Sequence, residues 1–366
     1  MTEPQSPGIK LRYLKIQNFK ALDFLEIEFP PPRMTVDPDI LVMGSKNGSG
    51  KTTMLEASVL LFLAAATGEE SFRIADRYLS NELSDLLVRA GEKQALIEGT
   101  FEMGNHPINV KLSIDKQGNI NIEQNRAELA FVSTSSEGHS PFQFHRREIE
   151  QFWSILAGLN FDPLILPPLL YFHSYRKVQE GNIELGMMVE GRRTDKRFIS
   201  HERNHVSQFK LEILKAMMRQ AALFETVDDT HKTGTKEILA KLNQLVEIYA
   251  KGTIEKLRPA TDNTIEFRIT PTDGGASFSF DVLSSGQKEI ISTLFLLWHN
   301  LNNRPGIILI DEPELHLNLE LHRRFIRQLY ELAPHSQYII TTHSEGIFSS
   351  VDAERRVLLM EESQSV

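Results

Sequence analysis

Two runs of residues in this chain have the types and spacing to handle a phosphate and a metal ion. The first is Gly44-Ser45-Lys46-Asn47-Gly48-Ser49-Gly50-Lys51-Thr52, placed between the apolar stretch Ile40 to Met43 and a long, mostly apolar run that follows Thr53. In a strand–loop–helix setting of this kind, glycines let successive backbone N–H groups face one anion, and the helix start adds partial positive charge. Asn47, Gly48, Ser49 and Gly50 would form the cradle, with Thr53 just behind it. Lys51 has the reach for the β- and γ-phosphates of ATP, and Thr52 offers a hydroxyl to Mg²⁺. The loop pattern G-x-x-x-x-G-K-[ST] puts its first glycine at position 45, where this chain has Ser45, with Gly44 one residue earlier. The second run is Ile307-Ile308-Leu309-Ile310-Asp311-Glu312, four apolar residues leading into two carboxylates. Ligands of open α/β sheets bind at the C-terminal ends of strands. There Asp311 can hold the Mg²⁺ water shell, and Glu312 can orient or deprotonate an attacking water. A plain glycine-rich turn and an ordinary strand end are the bland alternatives, and the two runs together favour the phosphate reading.

The surrounding elements follow from periodicity. Leu11 to Phe19 reads as a strand, and Leu25, Ile27 and Phe29 alternate with Glu26 and Glu28 up to the prolines 30–32. Ile40 to Met43 is a short strand, and a helix runs from Lys51 to about Ala66, apolar nearly all round and therefore buried. Residues 93–125 read as short strands with turns at Gly104-Asn105 and Gly118-Asn119, and 133–141 as a loop. From about 145 to 258 the pattern is mostly helical, broken by Pro163, Pro167 and Pro168. Ile265–Ile269 and Ser277–Phe280 return to strand. Glu289–Asn300 is a helix, Ile307–Ile310 a buried strand, Leu319–Leu332 a helix and Tyr338–Thr341 a strand. Alternation of this kind implies parallel strands with crossovers.

Composition bounds the classes. The chain has 366 residues, a formal charge of −9, 41% apolar and 24% charged residues, and no cysteine. It can bury a large core, and disulfide frameworks, thiolate metal sites and cysteine nucleophiles are excluded. No apolar run approaches a bilayer span and no signal peptide is visible, so the expectation is a soluble, cytoplasmic protein with no membrane partner. The acidic balance argues against wholesale coating by nucleic acid but leaves room for a local basic groove.

Two further motifs complete an ordered set. Leu283-Ser284-Ser285-Gly286-Gln287 precedes a helix and resembles the L-S-G-G-Q signature of ABC-type ATPases, with Ser285 in place of the first glycine. Thr341-Thr342-His343-Ser344 follows a strand and resembles the switch histidine of the same families. The order P-loop, signature, Asp-Glu and His looks like an ABC-type ATPase head. Asn18-Phe19-Lys20 and Glu312-Pro313-Glu314-Leu315-His316 resemble the SMC-, RecF- and OLD-like (AAA_15/AAA_21-like) branch, firmly over about residues 9–65 and 280–348. Where that branch has histidine-proline, this chain has Asn318-Leu319. The resemblance implies an α/β P-loop NTPase with ABC head topology and a mostly helical insertion. It divides the chain into a first lobe at 1–140 with an antiparallel β subdomain, an insertion at 141–260, and a second lobe at 261–366. It also implies a homodimer closing head to tail around ATP, with Ser284, Ser285, Gly286 and Gln287 covering the partner's nucleotide. Glu312 and His343 are then catalytic, Thr52, Asp311 and Gln143 serve Mg²⁺, and Phe19 or Lys20 lies near the adenine or its phosphates.

Several features sit outside that set. Residues 192–219 carry eight Lys/Arg against three acidic residues, a patch for DNA or RNA, an acidic partner, or simply solvent. Tyr171-Phe172-His173-Ser174-Tyr175-Arg176-Lys177 could stack bases or pack the insertion. His201-Glu202-Arg203-Asn204-His205 matches the H-E-x-x-H zinc-protease pattern, with Glu225 downstream, but its flanks are charged rather than apolar. Only a short tail follows His343, so no toprim nuclease is expected after it. The function expected is an ATPase that controls a partner effector or nuclease in anti-phage defence or DNA repair. An ATP-dependent DNA clamp is the alternative, and a zinc metalloprotease the third reading.

Overall fold

The structure, a computed structural model, describes residues 8–34, 37–45, 50–68, 72, 87–104, 106–125, 146–160, 162–176, 178, 180, 183–184, 207, 209–214, 235–254, 258–259, 264–301, 305–315 and 319–359. In chain order the elements are β1 (Ile9–Phe19), β2 (Leu22–Glu28), β3 (Asp39–Ser45), α1 (Lys51–Thr67), β4 (Gln94–Met103), β5 (His106–Asp115), β6 (Ile120–Gln124), α2 (Arg146–Leu156), β7 (Leu164–Leu166), β8 (Leu169–Phe172) and β9 (Ile183–Glu184). There follow α3 (Thr235–Ala250), β10 (Gly252–Ile254), β11 (Arg258–Pro259), β12 (Thr264–Glu266), β13 (Arg268–Pro271), β14 (Phe278–Ser279), α4 (Ser285–Leu301), β15 (Ile307–Asp311), α5 (Leu319–Leu332), β16 (Gln337–Thr342), α6 (Glu345–Phe348) and β17 (Arg356–Leu359). The chain falls into two compact units, residues 1–175 with 301–366, and residues 176–300. The sequence placed the cuts at 140/141 and 260/261.

The first unit is built on two sheets. One is antiparallel, in the order β2-β1-β4-β5-β6. Its alternation is legible along β1, where Ile9, Leu11, Leu14 and Ile16 are buried and a register shift falls between Leu11 and Tyr13. The stretch 93–125, expected as short strands, is instead a meander of two ten-residue strands and a shorter one, turning near Gly104 and Gly118 as expected. The other sheet has the order β17-β3-β16-β15-β8-β7, parallel throughout except for the β7–β8 hairpin. Every residue of β15 and β16 is buried, including the polar Asp311, Gln337, Thr341 and Thr342, as expected of central strands in a sheet covered on both faces.

Helix α1 explains why both sheets are covered. Met54 to Ala65 are all buried, because the helix packs against β1, β4 and β5 on one side and β15 and β16 on the other. An amphipathic helix could not do this, since its polar stripe would have to face one sheet. Close approach is set by Gly99 of β4, where a Cβ would sit 2.5 Å from Leu61 Cδ2 and 2.6 Å from the Tyr13 carbonyl oxygen.

One expectation needs correcting. Residues 145–258 contain the helices α2 and α3, but Leu164–Leu166 and Leu169–Phe172 are strands, joined by a turn at Pro167-Pro168. The prolines punctuate a hairpin, where a missing N–H costs no ladder bond. β8 runs parallel to β15 and pairs Leu309 with Tyr171. Tyr171 and Phe172 are therefore sheet interior, buried to within 1% of their surface, and offer no face to a base.

The second unit carries two three-stranded sheets, β10-β13-β14 and β11-β12-β9, with α3 and α4. In its core Phe209 packs tilted against Phe280 and edge-on against Phe295, with ring centroids 5.4 and 5.5 Å away. Helix α4 starts at Ser285, four residues before the expected Glu289.

Candidate functional site

The site lies where β3, β15 and β16 end and α1 begins, all within the first unit. Gly50 caps α1 in the left-handed region (φ 81°) and adds no side-chain cap to the helix N–H groups. A Cβ at Gly50 would lie 2.4 Å from Leu22 Cδ2, so both conformation and space require glycine there. Behind the loop start, Gly44 faces the ring of Phe348 at 2.9 Å from where a Cβ would be.

Lys51 and Thr52 open the helix and turn toward the strand ends. Thr52 Oγ1 donates to Asp311 Oδ2 at 2.7 Å. Asp311 is fully buried at the end of β15, and its other oxygen accepts from the Thr341 hydroxyl. Lys51 Nζ lies 2.8 Å from His343 Nε2, which in turn is 3.0 Å from Glu312 Oε1. Burial pulls the Lys51 pKa below its ordinary value, while Glu312, Asp311 and Glu314 push it back up. Glu312 sits at φ 46°, unusual for a residue with a side chain and worth roughly 1–3 kcal/mol of strain, directly before Pro313. Its amide is held by the Thr341 carbonyl at 3.0 Å.

Of the residues expected at the site, Gly50, Lys51, Thr52, Asp311, Glu312 and His343 are brought together. Thr53 is buried one residue along α1. Asn47, Gly48, Ser49 and Gln143 lie outside the described residues, as do His201 to His205, Glu225 and most of 192–219. Phe19 is fully buried in the core, which removes it from any contact with adenine. Lys20 pairs with Glu56 Oε2 at 2.6 Å on the face of α1 one turn beyond Thr52.

The signature residues belong to the second unit. Ser284 and Gln287 cap α4 reciprocally. Gln287 Oε1 accepts from the Ser284 amide at 3.1 Å, and Ser284 Oγ accepts from the Gln287 amide at 3.3 Å. Gln287 Nε2 also donates to the Tyr249 carbonyl at 2.9 Å, while Ser284 and Ser285 stay exposed and Gly286 is buried.

Three groups near the site were missed from sequence. Glu314 accepts from the amides of His343 and Ser344. His322 Nδ1 is 2.8 Å from Ser344 Oγ, which also caps α6. Glu56, buried beside Lys20, was read only as part of an apolar helix. The Glu312-to-His316 run flagged the first by type, but nothing local indicates a partner at position 343.

Comparison with known proteins gives the family. A family model described as AAA ATPase domain (AAA_15) matches residues 9–348. The chain belongs to the AAA ATPase domain family. It is an ATPase by that membership. The OLD nuclease of Thermus scotoductus is 22% identical over 361 residues, covering 93% of this chain and 60% of that protein. The Retron Ec83 probable ATPase of Escherichia coli is 29% identical over 171 residues, covering 40% of this chain and 31% of that protein. Among solved structures, the SmcHead bound to the C-winged helix domain of ScpA aligns over 93% of this chain and 92% of its own, at 17% identity and a TM-score of 0.49. This AAA ATPase domain thus spans less than two thirds of the length of these curated relatives. No helix among its described residues is long and apolar enough to cross a membrane.

Proposed function

We propose that the chain binds ATP with Mg²⁺ at the loop 44–52 and the ends of β15 and β16, and hydrolyses it there. The observation that carries this reading is the convergence of Lys51, Thr52, Asp311, Glu312 and His343 from positions far apart in sequence. Lys51 compensates the β/γ charge of the nucleotide. A hydroxyl and a carboxylate 2.7 Å apart are the hard oxygen donors that suit Mg²⁺, so Thr52 and Asp311 would hold it. When bound, the ion supplies neutralisation of phosphate charge. Glu312 takes the proton of the attacking water, and His343 orients the γ-phosphate from beside Lys51 and Glu312.

The exposed Ser284 and Ser285 at the start of α4 support a second part of the proposal. Two copies close head to tail, each signature covering the nucleotide of the other. By analogy with relatives named as an OLD nuclease and a retron ATPase, turnover in this dimer governs an effector or nuclease in anti-phage defence or DNA repair. The test is Lys51→Ala with calorimetry. Removing a buried cation from a charged contact costs about 2–5 kcal/mol, so ATP affinity falls at least ~30-fold. Unchanged affinity would sink the assignment.

A further inference from the structure

The turn that carries His343 is held from below by a residue the catalytic scheme does not use. Glu314 sits three residues past Asp311, beyond Pro313, and its Oε1 accepts from two successive amides, those of His343 and Ser344, the second at 3.2 Å. Its Oε2 is buried and meets no hydrogen-bond partner among the described residues. Ser344 is fixed twice more, by its amide on Thr342 Oγ1 at 2.9 Å and by its hydroxyl, which caps α6 and meets His322 Nδ1 at 2.8 Å. Among the described residues, the partners within reach of the His343 ring are Lys51 and Glu312, at 2.8 and 3.0 Å. Its placement therefore depends on its backbone, and the amide at that position is held by Glu314.

We propose that Glu314 is a positioning residue that sets the His343 imidazole between Glu312 and Lys51 by clamping the 343–344 amides. It acts through His343 and touches no substrate. A carboxylate suits the task because one oxygen can accept two N–H groups at once, and charge-assisted bonds of this kind are stronger than neutral ones. The inference rests on the site reading given above and adds a residue to it.

The experiment is a double-mutant cycle on steady-state phosphate release, with ATP binding measured by calorimetry for each variant. Glu314→Ala is expected to lower kcat at least ~10-fold while KM and ATP affinity move less than ~3-fold. Glu314→Gln keeps an acceptor oxygen toward the two amides and is expected to recover most of the lost rate. In a His343→Ala background, Glu314→Ala should cost less than ~2-fold more, since the residue it positions is gone. Losses that multiply in the double variant, no rescue by Gln, or a His343→Ala enzyme at wild-type rate would each overturn the inference. Failure of the wild-type chain to bind ATP would instead overturn the site reading, so the two failures are distinguishable.

Discussion

The carboxylates at 311 and 312 are neighbours in sequence and opposites in environment. Asp311 is fully buried and hydrogen-bonded on both oxygens, whereas Glu312 is half-buried, strained and turned to His343. A division of labour follows. Glu312→Gln is expected to bind ATP but lose about 10²–10⁴-fold in phosphate release, the usual cost of a missing general base. Asp311→Asn is expected to weaken Mg²⁺-dependent ATP binding instead. Phosphate release beside calorimetry with and without Mg²⁺ separates them, and equal phenotypes would refute the assignment. Glu56 makes a different prediction. Burial raises its pKa above the ordinary 4.5 despite the ammonium of Lys20. The native state then holds this proton more tightly than the unfolded chain, so stability falls as pH rises from about 4.5 through the native pKa. Glu56→Gln should flatten that slope in urea titrations run upward from pH 4.5, and an unchanged slope would remove Glu56 as its source. At this scale the sequence was informative wherever chemistry was written in one contiguous run. Lys51, Thr52, Asp311, Glu312 and His343 each sit in such a run. The Glu314 clamp and the Lys20–Glu56 pair join residues 29 and 36 positions apart, and no local pattern announces them.

Among the elements, α1 was legible because no polar stripe interrupts it, and β15 because four apolar residues end abruptly in two acids. The hairpin β7–β8 was not. Its nine residues, Leu164 to Phe172, are apolar apart from Pro167 and Pro168, and a short apolar run does not declare its own period. Its long-range partner, β15, begins at Ile307, too far along the chain for sequence inspection to connect. Packing of α1 against the antiparallel sheet depends on the missing side chain at Gly99. A methyl there must displace both Leu61 and the Tyr13 backbone. Gly99→Ala should cost about 1–3 kcal/mol, read as a lower urea midpoint with unchanged slope. A variant as stable as wild type would mean the two elements can separate slightly without penalty.

For the molecule as a whole, the proposed dimer is the property most open to refutation. Ser285 is exposed, so Ser285→Arg has room in a single copy. It should leave ATP binding to the monomer intact and abolish ATP-dependent dimerisation in light scattering; the same dimer as wild type would exclude head-to-tail closure through this residue. The strand order carries a different consequence, for the time course of synthesis. The phosphate-loop strand β3 is flanked in its sheet by β16 and β17 alone, and neither begins before residue 337. At translation rates of about 5–20 residues per second, β3 waits roughly 15–60 s on the ribosome with both edges unpaired. During that interval Gly44 and the start of α1 lack the strands that flank β3, and Asp311, once made, lacks the Thr341 hydroxyl that holds it. Nucleotide can therefore be gripped only by a chain whose β16 has entered between β3 and β15 and whose β17 has closed the outer side of β3. ATP binding is thus a readout of completed folding, and a nascent chain arrested short of β16 should be protease-sensitive at 44–52 whether or not nucleotide is present.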